Sequence, residues 1–175
     1  KAIKQGAFGK LYAGLGLDKR YETGGIMNFF RDTTQVSVLA YTNNINRPGF
    51  SIGDVSRIGG FSRAGINSIN ISDGEFSLNN VSFGGASSGV QQSAGAGINF
   101  NTLTKSGIKL NGKYFFGESD NILEQLTTVE QNLGTNKLFS ISDLDKRNKS
   151  YNHNFGGKLD WEIDSLTNFT FEPTV

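Results

Sequence analysis

A strict two-residue alternation runs through the stretch from Asn152 to Phe171, and it constrains the fold more than any other feature of this chain. One side of the alternation is polar or glycine, and its members are Asn154, Gly156, Lys158, Asp160, Glu162 and Asp164. The other side is mostly apolar, and its members are His153, Phe155, Gly157, Leu159, Trp161 and Ile163. Because side chains alternate between the two faces of a strand, this period predicts a β-strand rather than a helix.

The same stretch predicts a long hairpin. Residues 164–167 have the composition of a tight turn, and the alternation then resumes with Phe169 and Phe171 on the apolar side. The first arm has about a dozen residues, whereas strands of globular proteins have about 5–6 and strands that cross a bilayer at a tilt need about 9–11. The length of the arm therefore favours a transmembrane β-barrel.

Composition excludes several other classes of protein. With 17 basic and 16 acidic residues the net charge is +1, which gives no basis for expecting a nucleic-acid partner. The chain has no cysteine, so disulfide frameworks and thiolate metal sites are excluded. No apolar run approaches the roughly 18 residues of a membrane helix, and no secretory signal is visible. Since the chain opens on Lys1 rather than Met, we expect a piece of a longer protein.

Five further strands are predicted from the same period, at Gly9–Asp18, Tyr21–Arg31, Gln35–Asn44, Gln91–Asn101 and Gly107–Gly117. After the first turn, short connections at 31–34, 102–106 and 164–167 alternate with long ones at 45–90 and 118–149. Outer-membrane barrels have short periplasmic turns and longer extracellular loops. We therefore predict an all-β fold, an antiparallel transmembrane β-barrel segment of about seven strands from a larger barrel, with the two long connections as extracellular loops.

Aromatic residues near the predicted strand ends are typical of the girdles at the two membrane interfaces. The candidates for this role are Tyr21, Tyr41, Tyr114 and Trp161. The alternative is that aromatic residues are simply frequent in β-strands.

Three runs of residues support a more specific interpretation, namely residues 14–21 (GLGLDKRY), 37–46 (SVLAYTNNIN) and 159–168 (LDWEIDSLTN). They resemble the first barrel strands of TonB-dependent outer-membrane receptors of the Bacteroidetes type. The resemblance implies a location in the bacterial outer membrane and a role in importing a nutrient. It also implies a plug and further barrel strands in the parent chain, about 22 strands in all. A TonB-type protein would energise transport, although neither a plug nor a TonB-contacting segment is visible in this sequence.

The sequence predicts no enzyme. His153 is the only histidine, so clusters of histidine ligands are impossible, and we predict no catalytic residue, metal or cofactor. Lys158, Asp160 and Glu162 share one strand face and could imitate a pair of catalytic carboxylates, but a polar lining of the barrel lumen explains them better.

Binding is expected to reside in the loops. The 45–90 connection carries guanidinium groups and flat apolar rings that an unidentified small ligand could contact. The candidates are Arg47, Phe50, Arg57, Phe61 and Arg63. The alternative is a solvated lid in which the phenylalanines, including Phe76 and Phe83, pack only on one another.

Two other classes of function remain open. One is a secreted soluble β-sandwich or adhesin module that binds glycans, which would bury one face in a core and be stable without detergent. The other is a barrel that serves only as a membrane anchor or assembly partner. That barrel would share every feature seen here. In both barrel interpretations the surrounding membrane lipid is a partner of the chain.

Overall fold

A computed structural model of the chain describes residues 5–51, 53–54, 68–72, 75–86, 88–134 and 136–175. The fold is all-β, and within these ranges ten strands form two antiparallel sheets. The strands are β1 Gln5–Leu15, β2 Tyr21–Arg31, β3 Thr34–Asn43, β4 Ile69–Ser72, β5 Glu75–Leu78, β6 Val81–Ser82, β7 Val90–Leu103, β8 Ile108–Leu133, β9 Asn136–Asp164 and β10 Thr167–Phe171.

The main sheet has seven strands in the order β1-β2-β3-β7-β8-β9-β10, and the sheet is not closed. Each strand pairs with its neighbour along the chain, and the connection between β3 and β7 carries the small sheet β4-β5-β6. Residues 173–175 continue β10 along β9, since the Val175 amide donates to the Phe155 carbonyl over 2.9 Å. The prediction of an all-β fold with about seven antiparallel strands is therefore confirmed.

Short turns join the strands at one end of the sheet, which we call the short-turn end. They lie at 32–33, 104–107 and 165–166, and the opposite end, the long-loop end, carries the β3–β7 connection. Asp32 adopts φ 51° and Gly107 φ 78° in these turns. Aspartate and glycine tolerate this left-handed conformation, which occurs at Asp32 in the two-residue turn and at Gly107 at the end of the four-residue turn.

Residues 118–149, predicted as a loop, are instead the outer parts of β8 and β9, so that prediction is wrong. Pairing continues without a shift from Glu118 opposite Tyr151 to Leu133 opposite Asn136. We call this hairpin, residues 118–133 and 136–150, the ribbon. Its sequence lacks clear alternation because residues 124–133 and 136–149 are exposed on both faces, and only a buried face demands a regular apolar period.

The hydrophobic core lies on one face of the main sheet, under the β3–β7 connection. We call the described parts of that connection that pack there, residues 44–51, 53–54 and 75–86, the strap. Phe83 is at the centre, in ring contact with Tyr41, Phe50, Phe76 and Phe115. The remaining members of the core are Ile26, Leu39, Leu78 and Val81.

Antiparallel register sorts the side chains into two faces. The face under the strap, which we call the polar face, carries Asn28, Ser37, Asn99 and Lys113 in directly paired positions around the core. The opposite face, which we call the apolar face, carries Met27, Val38, Ile98, Tyr114 and Phe155 in one cross-strand row. Among the described residues, no helix is long and apolar enough to span a membrane.

The position of Phe83 leads to a stability prediction. Its side chain is 0% exposed, so Phe83→Ala should lower the free energy of unfolding by about 3–5 kcal/mol through lost packing and a residual cavity. Phe139→Ala on the ribbon, where the ring is 61% exposed, should change it by less than about 0.5 kcal/mol. Urea titration followed by fluorescence of Trp161 measures both. Equal losses in the two variants would contradict a core centred on Phe83.

Candidate functional site on the polar face

The charged side chains of the central sheet are collected on the polar face. Register assigns this face Lys10, Glu22, Lys109, Lys113, Lys158, Asp160 and Glu162. Uncharged hydrogen-bonding groups lie between them, and the Ser37 hydroxyl donates to the Asn28 side-chain oxygen over 2.6 Å in a buried pair. The polar face is thus the place where this chain can recognise another molecule by directed contacts.

A groove of about 720 Å³ occupies the short-turn end of the polar face. Asn101 and Asn111 line it, and Asn111 donates to Asn101, which in turn donates to Asn99 behind the lining, each over 2.6 Å. Phe8 and Phe30 line one side of the groove. Its volume lies in the range of about 300–1,000 Å³ that is usual for small-molecule sites.

The predicted lumen-lining residues lie on this face. Lys158 and Asp160 line the groove and form an ion pair at 3.5 Å, and Thr170 donates to the Asp160 carboxylate over 2.8 Å. Glu162 is exposed two residues further along β9, at the next position on the same face, and is paired with Asn168. The carboxyl of Asp160 is thus held by a lysine and a hydroxyl.

Only two of the predicted ligand-binding loop residues are in the described part of the chain. Arg47 is exposed, and its carbonyl oxygen accepts a hydrogen bond from the Asn43 side chain over 2.9 Å. Phe50 is 3% exposed inside the core and is therefore closed to a ligand in this conformation. Arg57, Phe61 and Arg63 lie outside the described residues. Phe50, Phe76 and Phe83 pack on one another, as in the alternative considered for the loop, but they also contact Tyr41 and Phe115 of the main sheet and are buried, not solvated.

The four predicted interface aromatics do not share one face. Tyr21, Tyr114 and Trp161 lie on the apolar face, but Tyr41 lies on the polar face and is 4% exposed, edge-on to Phe50. Its assignment to an exposed girdle is therefore wrong. Both faces of β3 are apolar in sequence, so its alternation could not show which face the strap covers.

Polar contacts attach the strap to β1. The Tyr12 hydroxyl donates to the Gly49 carbonyl over 2.5 Å, and the Lys10 ammonium lies 3.2 Å from the Asp54 carboxylate. The Ser51 hydroxyl also donates to Asp54 over 2.9 Å. Burial raises the pKa of Asp54, but the hydrogen bonds from Ser51 and the ammonium of Lys10 outweigh it, so the pKa lies below its usual value.

Several members of the site were missed by sequence reasoning, among them Tyr12, Asn99, Asn101 and Asn111. Asn99 and Asn101 lie two residues apart on β7, and Asn111 of β8 is paired with Asn101. This spacing could have shown that the three side chains share one face of a hairpin.

Within the described chain, no group of three or more His, Cys, Asp and Glu is placed to hold a metal ion. No family model matches this chain, and neither a curated protein sequence nor a solved structure matches it.

The contacts of Asp54 predict a pH-dependent contribution to stability. Because its pKa is lowered by folding, the carboxylate stabilises the fold above its ordinary pKa of 3.8, and this contribution is lost as the pH falls below that value. Asp54→Asn should lower the urea midpoint at pH 7, and the gap to the unaltered protein should shrink at pH 3. Asp32→Asn, in an exposed turn, serves as the control. A gap of equal size at both pH values would exclude this role for the carboxylate.

Proposed function

We propose that this chain is part of the wall of a transmembrane β-barrel in a bacterial outer-membrane receptor that imports a nutrient. The observation that carries the proposal is the segregation of charge between the two faces. In the described strands, the apolar face carries no Asp, Glu, Lys or Arg between Arg31 at the short-turn end and Glu118 at the long-loop end. A barrel wall has this pattern when its outer surface contacts lipid and its inner surface lines a lumen.

Exposure of the apolar face supports the same proposal. Its large apolar side chains are open to the surroundings, as Leu11 shows at 77% exposure. Others on this face are Met27, Phe29, Val38, Ile98, Phe100, Phe155, Trp161 and Phe171. Soluble monomers rarely expose a contiguous apolar patch of more than a few hundred Å². Lipid is the surrounding that makes such a surface favourable.

The apolar band is staggered across the strands as it is in a tilted barrel. On β1 the centre of the apolar band is Leu11. When the paired residues are followed from strand to strand across the sheet, Leu11 leads to His153 on β9. On β9 the band from Phe155 to Ile163 has its centre at Leu159, six residues further on after five strand-to-strand steps. With a rise of about 3.3 Å per residue and a strand spacing of about 4.8 Å, this stagger corresponds to a tilt of about 40°. Barrel strands tilt by about 35–45°.

The long-loop and short-turn ends fit the two sides of an outer membrane. The short turns would face the periplasm, and the ribbon and the β3–β7 connection would begin on the extracellular side. Ligand capture at that side, a plug inside the lumen and energy from a TonB-type protein follow from the family resemblance. The groove lined by Lys158 and Asp160 offers polar groups to whatever passes along the inner wall.

A soluble sandwich or adhesin module is the second candidate, and one observation disfavours it. A sandwich buries the apolar face of its sheet against a second layer. Here the strap, the layer present among the described residues, covers the polar face instead. A barrel that serves only as a membrane anchor would have the same wall as a receptor. The two would differ only in the parts of the parent chain outside this segment.

One gel tests the membrane proposal. Outer-membrane extract of the source cells is loaded boiled and unboiled and probed with an antibody against this segment. A large band whose mobility changes on boiling is the expected result for a detergent-resistant barrel. A soluble band of about 19.0 kDa that is indifferent to boiling would overturn the proposal in favour of a secreted module.

A charge placed on the apolar face gives a sharper prediction. Ile98→Arg near the middle of the band should cost about 2–4 kcal/mol in a bilayer and deplete the heat-modifiable band, whereas an exposed position in water would tolerate it. Gln92→Arg, on the same face of β7 at the long-loop end, should cost only about 0–1 kcal/mol. Equal amounts of folded protein from both variants would argue against burial of this face in lipid.

A further inference from the structure

We infer that the strap is a fixed insert that narrows the barrel lumen and does not act as a mobile loop for ligand capture. The inference rests on the proposed function, because the polar face becomes the inner wall only if the sheet is part of a barrel. It goes beyond that function because it gives the first long connection a place inside the lumen, where the sequence alone predicts an extracellular loop.

Glycines on the polar face make the room in which the strap is seated. A Cβ atom at Gly117 of β8 would collide with the carbonyl oxygen of Ser82 in the strap and would lie 2.8 Å from a methyl carbon of Val81. A Cβ atom at Gly49 of the strap would collide with the ring of Tyr41. The backbones of strap and wall therefore approach more closely than side chains would permit.

A second pair of glycines lets two aromatic rings of the wall lie close against the sheet, beneath the strap. A Cβ atom at Gly95 would collide with Tyr41, and one at Gly97 would collide with Phe115. Both rings contact Phe83 of the strap, with centroids 5.9 and 6.1 Å away. Because the sheet lacks side chains at these positions, wall and strap form one continuous packed layer.

Directed contacts attach the strap to strands at both ends of its span. Tyr12 and Lys10 of β1 hold Gly49 and Asp54, as described above. On the side of β7, the Asn46 side chain donates to the Gly89 carbonyl over 2.7 Å and accepts from the Gln91 amide over 2.8 Å. The strap thus crosses the polar face from β1 to β8. Hydrogen bonds, an ion pair and ring contacts together hold it against the sheet.

The position of the strap determines what a solute would meet. The strap covers Ile26, Leu39 and Tyr41 toward the long-loop end, whereas the open groove begins at Gln35 and Asn101 toward the short-turn end. A solute that enters from the long-loop side therefore passes the strap before it reaches the groove. Since Leu78 and Phe83 are fully buried, the strap is packed against the main sheet at these residues.

Cysteine labelling tests the inference, because this chain has no cysteine of its own. Val81→Cys and Ile71→Cys are made separately in the full-length parent protein, and intact cells are treated with a membrane-impermeant maleimide. Val81 is a strap residue that is 1% exposed where the strap packs on β8, whereas Ile71 is 60% exposed in the same connection. For a fixed insert, the thiol of Val81→Cys should react at least about tenfold more slowly than that of Ile71→Cys, because its reaction requires the strap to open.

Paired glycine substitutions complete the test. Adding Gly117→Val to the Val81→Cys protein should displace the strap and bring its labelling rate close to that of Ile71→Cys. Gly112→Val on the same strand is the matched control, because no atom lies within 4 Å of its added Cβ. If Gly117→Val fails to fold, Gly117→Ala takes its place, and the comparison of the two cysteine variants in the otherwise unaltered background remains decisive.

Failure of the inference can be told from failure of the proposed function. Labelling of Val81→Cys as fast as Ile71→Cys, in a protein that still gives a heat-modifiable outer-membrane band, would overturn the fixed insert and leave the barrel proposal standing. Absence of the protein from the outer membrane would overturn both.

Discussion

The unbroken antiparallel register from β1 to β9 is the constraint on which the rest of the structure depends. With every second side chain on each face, a shift of one residue in any strand would exchange its polar and apolar sets. Because no shift occurs across these strands, the lysines, carboxylates and amides of the central sheet accumulate on one face. The same register aligns Met27, Val38, Ile98 and Tyr114 on the other, so one backbone pattern produces both surfaces.

Glycine has a second role in this sheet, which is to control how closely another layer can approach. Gly95, Gly97 and Gly117 lie on the polar face under or beside the strap, and the space they leave is filled by rings or by the strap backbone. A sheet with ordinary side chains there would hold the strap further away and lose the contacts of Phe83. The many glycines of the chain are therefore only partly explained by turns, since several determine how closely the strap packs against the main sheet.

The ribbon shows the opposite situation, a long pair of strands that has no buried face beyond its base. Its pairing is regular, and Arg147 donates two hydrogen bonds to Asp120 at its base, over 3.0 and 2.6 Å. Yet Glu124 stands directly opposite Asp145, a like-charged pair that a sheet interior would not favour. Backbone hydrogen bonds alone hold such a hairpin weakly in water. Because burial does not require an apolar period in these strands, their alternation was too weak to predict a strand.

The sequence by itself determined the all-β class, the strands whose two faces differ, and the shared strand face of Lys158 and Asp160. A difference between faces leaves a period in the chain, and a period can be read without coordinates. Tertiary structure alone decided the burial of Tyr41 and Phe50, the seat of the strap on Gly117 and the extension of β8 and β9 through residues 118–149. These depend on contacts between residues far apart in the chain, or on pairing without burial, and neither leaves a local period in the sequence.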